Sequence, residues 1–142
     1  MAANTSPIFI LQGNMVPTSN NRIVTANTAS DGSGTLYTIV TAGTDGTRID
    51  AVRFRNSQAT AAASSNMVHR VFLTDASGTN PTLVGEVATA AATRSTTAVG
   101  ATSIITFDQP IIMKSGQLLR VCQSVYAGAQ DQFDAIAYAG NY

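Results

Sequence analysis

Thr47-Arg48-Ile49-Asp50-Ala51-Val52-Arg53-Phe54-Arg55-Asn56 alternates between apolar and polar side chains with the two-residue period of a strand. Strict alternation puts Thr47, Ile49, Ala51 and Arg53 on one face and Arg48, Asp50, Val52 and Phe54 on the other. Neither set is purely apolar, so the pattern leaves the inward face open near the ends. Gly43-Thr44-Asp45-Gly46 before it is turn chemistry. It predicts a hairpin with the strand read over Gly34–Ala42, through Leu36, Tyr37, Ile39 and Val40.

The same signature recurs outward from there. Met67–Thr74 sets Met67, His69, Val71 and Leu73 against Val68, Arg70 and Phe72. The turn Asp75-Ala76-Ser77-Gly78-Thr79-Asn80-Pro81 separates it from Leu83–Ala88. Thr102–Phe107 is a further strand that Asp108-Gln109-Pro110 is expected to end. Ile111-Ile112-Met113 leads through Lys114-Ser115-Gly116 into Gln117–Ser124, and Gln132–Tyr138 is the last strand. Upstream lie Asn21–Ala26 and the apolar run Ile8-Phe9-Ile10-Leu11. Helix signals are weak: one Glu and one Lys occur in the chain, and the alanine-rich pieces at 59–63 and 88–92 carry no amphipathic stripe. The expectation is an all-β, single-domain antiparallel β-sandwich, jelly-roll-like, of about eight to ten short strands. Residues 1–22 are read as an N-terminal arm or first strand and 23–142 as the sandwich.

Composition narrows the function classes. The 142 residues suit one domain, and 11% are charged against about 25% in average proteins. Eight basic and eight acidic side chains cancel, which argues against a nucleic-acid partner needing a basic face and against a polybasic membrane anchor. No stretch approaches the roughly 18 apolar residues of a membrane span. Met1-Ala2-Ala3-Asn4 lacks the basic segment and long apolar run of a signal peptide. In place of charge the chain carries 22 Ala, 19 Thr and 12 Ser.

Residues that could carry chemistry are sparse. Cys122, the one cysteine, reads as a small buried hydrophobe on a strand face shared with Arg120. His69, the one histidine, sits mid-strand, with no Gly-x-Ser-x-Gly motif to supply a nucleophile. Asp31, Asp45 and Asp75 fall in turns, where the carboxylate caps backbone groups. Asp131 and Asp134 are near enough in sequence to share an ion, without the spacing of a calcium loop. Asp31–Gly34 and Gly43–Gly46 do not match a phosphate loop and read as hairpin turns. No catalytic, cofactor or metal residue is expected. Two features point to a partner instead. Arg48, Arg53 and Arg55 form the densest basic cluster, either a solvated strand edge or a patch that pairs with carboxylates of another protein. Ile8, Phe9, Ile10 and Leu11 could add a strand to a neighbour's sheet or serve as the chain's own first strand.

Thr102-Ser103-Ile104-Ile105-Thr106-Phe107-Asp108-Gln109-Pro110, then Met113-Lys114-Ser115-Gly116-Gln117-Leu118-Leu119-Arg120-Val121, then Ala139-Gly140-Asn141-Tyr142 form a strand, Pro, Ser-Gly-Gln, strand pattern. With the low charge and the apolar N-terminal run, the chain resembles the small cement or decoration proteins of tailed bacteriophage capsids. The resemblance implies a non-enzymatic virion protein, made in the host cytoplasm. It would sit as a dimer or trimer on the capsid exterior, at junctions between major capsid protein subunits. The alternative is a carbohydrate- or receptor-binding module of a phage tail or fibre, with Tyr37, Tyr126, Tyr138 and Tyr142 as stacking faces. A hydrolase with scattered residues is the third reading.

Overall fold

The computed structural model describes residues 12–13, 22–58 and 61–142. Their strands are β1 (Gln12–Gly13), β2 (Arg22–Ile23), β3 (Tyr37–Thr41), β4 (Thr47–Asn56), β5 (Met67–Thr74), β6 (Thr82–Thr89), β7 (Thr102–Met113), β8 (Leu118–Gln123) and β9 (Phe133–Asn141), with one 3-10 turn at Ala129–Asp131. Sheet A runs β1-β9-β4-β7, with β2 also on β9, and sheet B runs β3-β8-β5-β6. Every strand pair is antiparallel.

The order has a simple origin. β5 and β6 form a hairpin, and outside it β4 pairs β7, β3 pairs β8 and β2 pairs β9. This is one long hairpin folded over so that its successive pairs alternate between two sheets: a jelly roll. The β5–β6 turn that starts the winding is built by Asp75. Its carboxylate accepts from the Ser77 and Thr79 amides at 3.1 and 2.8 Å, from both their hydroxyls, and from Asn80 Nδ2. Those donors, the Thr79 and Ser77 hydroxyls above all, hold the Asp75 carboxyl well below the usual carboxylate range.

Two sequence expectations are corrected by this winding. Gly43–Gly46 and Asp31–Gly34 are not hairpin turns, because each lies between a strand of one sheet and a strand of the other. The Gly46 amide still closes a tight turn onto Gly43 O at 3.1 Å. Likewise Asp108-Gln109-Pro110 does not end a strand. The ladder to β4 breaks between the Thr106 and Ile111 pairings and resumes, making β7 one strand of 12 residues. Proline is tolerated there because β7 is an edge and the missing N–H takes no partner from the sheet.

A bulge settles the open face of β4. Ile49 pairs with Ala139 and Ala51 with Tyr138, its very next neighbour back along β9, so Asp50 is an extra residue. The inward set therefore changes parity, from Thr47 and Ile49 to Val52, Phe54 and Asn56. Ile49, Val52 and Phe54 are 0% exposed and pack with Ile23, Val71, Leu119, Val121 and Phe133 between the sheets.

Candidate interaction surface

The interior between the sheets turns polar toward one end. His69 lies there, fully buried. Phe54 stacks on its ring at 4.3 Å and 14°, and Phe133 closes the other side at 4.6 Å. His69 Nδ1 and the Thr89 hydroxyl share a hydrogen bond at 2.8 Å, and Thr89 shares one at 2.7 Å with Ser103. Burial lowers the imidazole pKa to about 3, so the ring is neutral at pH 7. Asp131 is buried as well. It accepts from the Ser65 amide and hydroxyl at 2.7 and 3.0 Å and from the Ala127 amide at 2.8 Å. Its carboxylate thus ties the chain near 65 to the chain near 127. Asp134 sits instead on the outer face of sheet A, bonded to Arg22 at 3.3 Å, so the two acids do not converge on an ion. Among the described residues no group of three or more His, Cys, Asp or Glu side chains is placed to hold a metal, and no helix is long and apolar enough to cross a membrane.

The outer face of sheet B is roofed. Residues 24–36, between β2 and β3, cross it and are pinned by its arginines. Arg120 Nη2 donates to Leu36 O at 2.9 Å and its Nη1 to Gly78 O at 3.1 Å, while Arg70 reaches Thr28 O at 3.5 Å. Asn27 holds the loop in shape through Ser33 O and Thr35 O at 2.8 and 3.0 Å. Under the roof Leu36, Phe72 and Cys122 form a second small core. Gly32 lies so close to this layer that a Cβ there would meet Pro81 Cβ at 2.3 Å, and its φ of +82° favours glycine in any case. Burial pushes the Cys122 thiol up, against a smaller opposing effect of Arg70. That matches the expectation of a small, buried, strand-borne cysteine.

The outer face of sheet A is different. The bulge at Asp50 puts Arg48, Arg53 and Arg55 on this one face, where strict alternation sets Arg48 and Arg53 apart. Arg48 lies between Ile112 and Gly140, Arg53 between Ile104 and Ile136, and Arg55 between Thr102 and Asp134. Ala51 lies between Thr106 and Tyr138. Arg48 bonds Asp50 at 2.7 Å, whereas Arg53 and Arg55 have no carboxylate partner among the described residues. Ile104 is 51% and Ile112 57% exposed.

Sequence reasoning found these three arginines but not the isoleucines beside them, which cross-strand register alone supplies. The signal for the bulge was present: Ile49 and Val52 are both large and apolar, and three residues apart in a strand they cannot share a face without an extra residue between them. Ile8–Leu11 lie outside the described residues. Three of the four tyrosines sit in separate settings. Tyr138 is on sheet A, Tyr37 is tied to the Val24 amide and Thr25 hydroxyl at 3.3 and 3.0 Å, and the Tyr142 amide bonds Gly46 O at 3.4 Å.

Comparison with protein-family models, with curated proteins and with solved structures finds no match to this chain.

Proposed function

We infer that the protein is a structural, non-enzymatic virion component that binds the outer surface of a capsid and stabilises contacts between major capsid protein subunits. The observation that carries this reading is the nested jelly-roll winding in a chain of which 11% is charged. Jelly rolls recur in viral capsid and lectin domains, but a fold hosts many functions, and composition is what narrows it. Lys and Glu are among the side chains that lose the most entropy when a surface is covered. Here one of each is present, and short Thr, Ser and Ala side chains take their place, so covering this surface costs little ordering. The buried groups of this type are tied into the fold: His69 Nδ1 with Thr89, and Asp131 with Ser65 and Ala127.

Purified protein mixed with capsids assembled without it, from the same virus, is expected to co-sediment with them to a saturating stoichiometry. Failure to sediment at saturating concentration overturns the reading.

A further inference from the structure

The geometry points to the outer face of sheet A as the docking surface, and to its occupant as a different protein presenting carboxylates around an apolar patch. This rests on the capsid reading above and names the surface and the partner chemistry that reading needs.

The chemistry of the face is specific. Ile104, Ile112, Ile136 and Tyr138 form an apolar ground through which Arg48, Arg53 and Arg55 rise on the central strand β4. Arginine and aromatic side chains are the types that concentrate binding energy at interface centres. A guanidinium fork donates two parallel bonds to a carboxylate, and those of Arg53 and Arg55 form no ion pair among the described residues.

Charge excludes a second copy as the occupant. Arg22 is matched by Asp134 and Arg48 by Asp50, which leaves Arg53 and Arg55 as the unmatched positive groups at the centre of the face. Two copies packed face to face would oppose arginine to arginine, which disfavours a two-fold contact. Among the described residues the other acids are engaged or scattered: Asp75 is saturated by its own turn, Glu86 faces Arg70 at 3.3 Å, Asp131 is buried, and Asp31, Asp45 and Asp108 lie on three separate segments.

The sheet edges are poor alternatives. β3 has a register shift between Thr38 and Val40, and the β5–β6 pairing has one between Val71 and Phe72, where Val84 is the extra residue on β6. The β7 ladder breaks between Thr106 and Ile111, with Pro110 in the gap. Bulges and proline twist an edge away from further strand pairing. The face is also small. From Arg48 to Arg55 along β4 and across the four strands, standard strand spacings give a projection of about 350 Å², against about 800 Å² per partner in a stable pair. One contact alone is therefore weak, and a lattice of identical sites supplies retention.

The test is quantitative co-sedimentation with capsids assembled without this protein, comparing the wild type with R53A/R55A, with Ile104→Asp and with Leu83→Ser on sheet B. Thermal unfolding of each variant is measured alongside. The face variants are expected to keep the wild-type melting temperature within a few degrees and to lose affinity about tenfold or more. Leu83→Ser should bind as the wild type does, and raising the salt should weaken wild-type binding several-fold. Face variants that fold and bind like the wild type overturn this proposal and leave the capsid reading standing. A wild type that does not sediment overturns both. If Ile104→Asp fails to fold, R53A/R55A decides alone, since it only truncates exposed or half-buried side chains.

Discussion

The two outer faces of the sandwich start from the same material and end in opposite states. Each is the solvent side of one antiparallel sheet, and each carries arginines on its central strands. On sheet B, Arg120 and Arg70 spend their donors on the carbonyls of Leu36, Gly78 and Thr28, and the loop they hold buries Phe72 and Cys122 completely. On sheet A, Arg53 and Arg55 form no ion pair among the described residues, and two isoleucines beside the central strand are more than half exposed. A covered face contributes to stability, and an uncovered one stays open to a partner. An arginine on a strand is therefore neither structural nor functional in itself; what lies above it decides.

Substitutions that separate the faces should differ in size. Phe72→Ala removes the centre of the small core under the roof and is expected to cost about 3–5 kcal/mol, read from the urea midpoint. It should also open Cys122 to a thiol reagent under native conditions. Labelling that stays as slow as in the wild type would show that the roof does not depend on Phe72. Arg120→Ala strands two loop carbonyls and should cost about 2 kcal/mol. Its counterpart Arg53→Ala should fall within about 0.5 kcal/mol of the wild type in the same assay. Equal losses for the two arginines would erase the contrast.

Acid tests the layer that both faces share. The folded pKa of His69, about 3, lies below the ordinary imidazole value of 6.5, so the unfolded chain takes up the proton first. The stabilisation is complete above pH 6.5 and is lost as pH falls from there toward 3, by about 1.4 kcal/mol per pH unit. Denaturation midpoints measured between pH 7 and pH 4.5 should follow that slope. His69→Gln should flatten it even if the variant is less stable at pH 7. An unchanged slope in that variant would assign the acid sensitivity to other groups.

Several elements were legible in the residues alone. Met67–Thr74 and Thr47–Asn56 match the observed strands end to end, because alternation bounded by turn chemistry is a local property. Gln117–Ser124 and Leu83–Ala88 were each placed within a residue of the observed bounds. The two glycine turns misread as hairpins, and the β7 strand misread as ending at Pro110, failed for one reason. A turn motif specifies that the chain reverses, and it does not specify which sheet receives the next strand. In the candidate surface, Arg53 and Arg55 could be paired on one face from spacing. Placing Arg48 with them needed the bulge, and placing Ile104 and Ile136 beside them needed the register of β4 against β7 and β9.

The residues by themselves determined that this chain is an all-β sandwich of low charge, its cysteine on a buried strand and its densest arginine cluster on one strand. Periodicity and composition act within a few residues, so no partner segment is needed to read them. Only the tertiary structure decided which arginines are covered. The carbonyl that receives Arg120 lies 84 residues away along the chain and the one that receives Arg70 lies 42 away. Contacts at that separation depend on how the whole hairpin is wound, which no local pattern encodes.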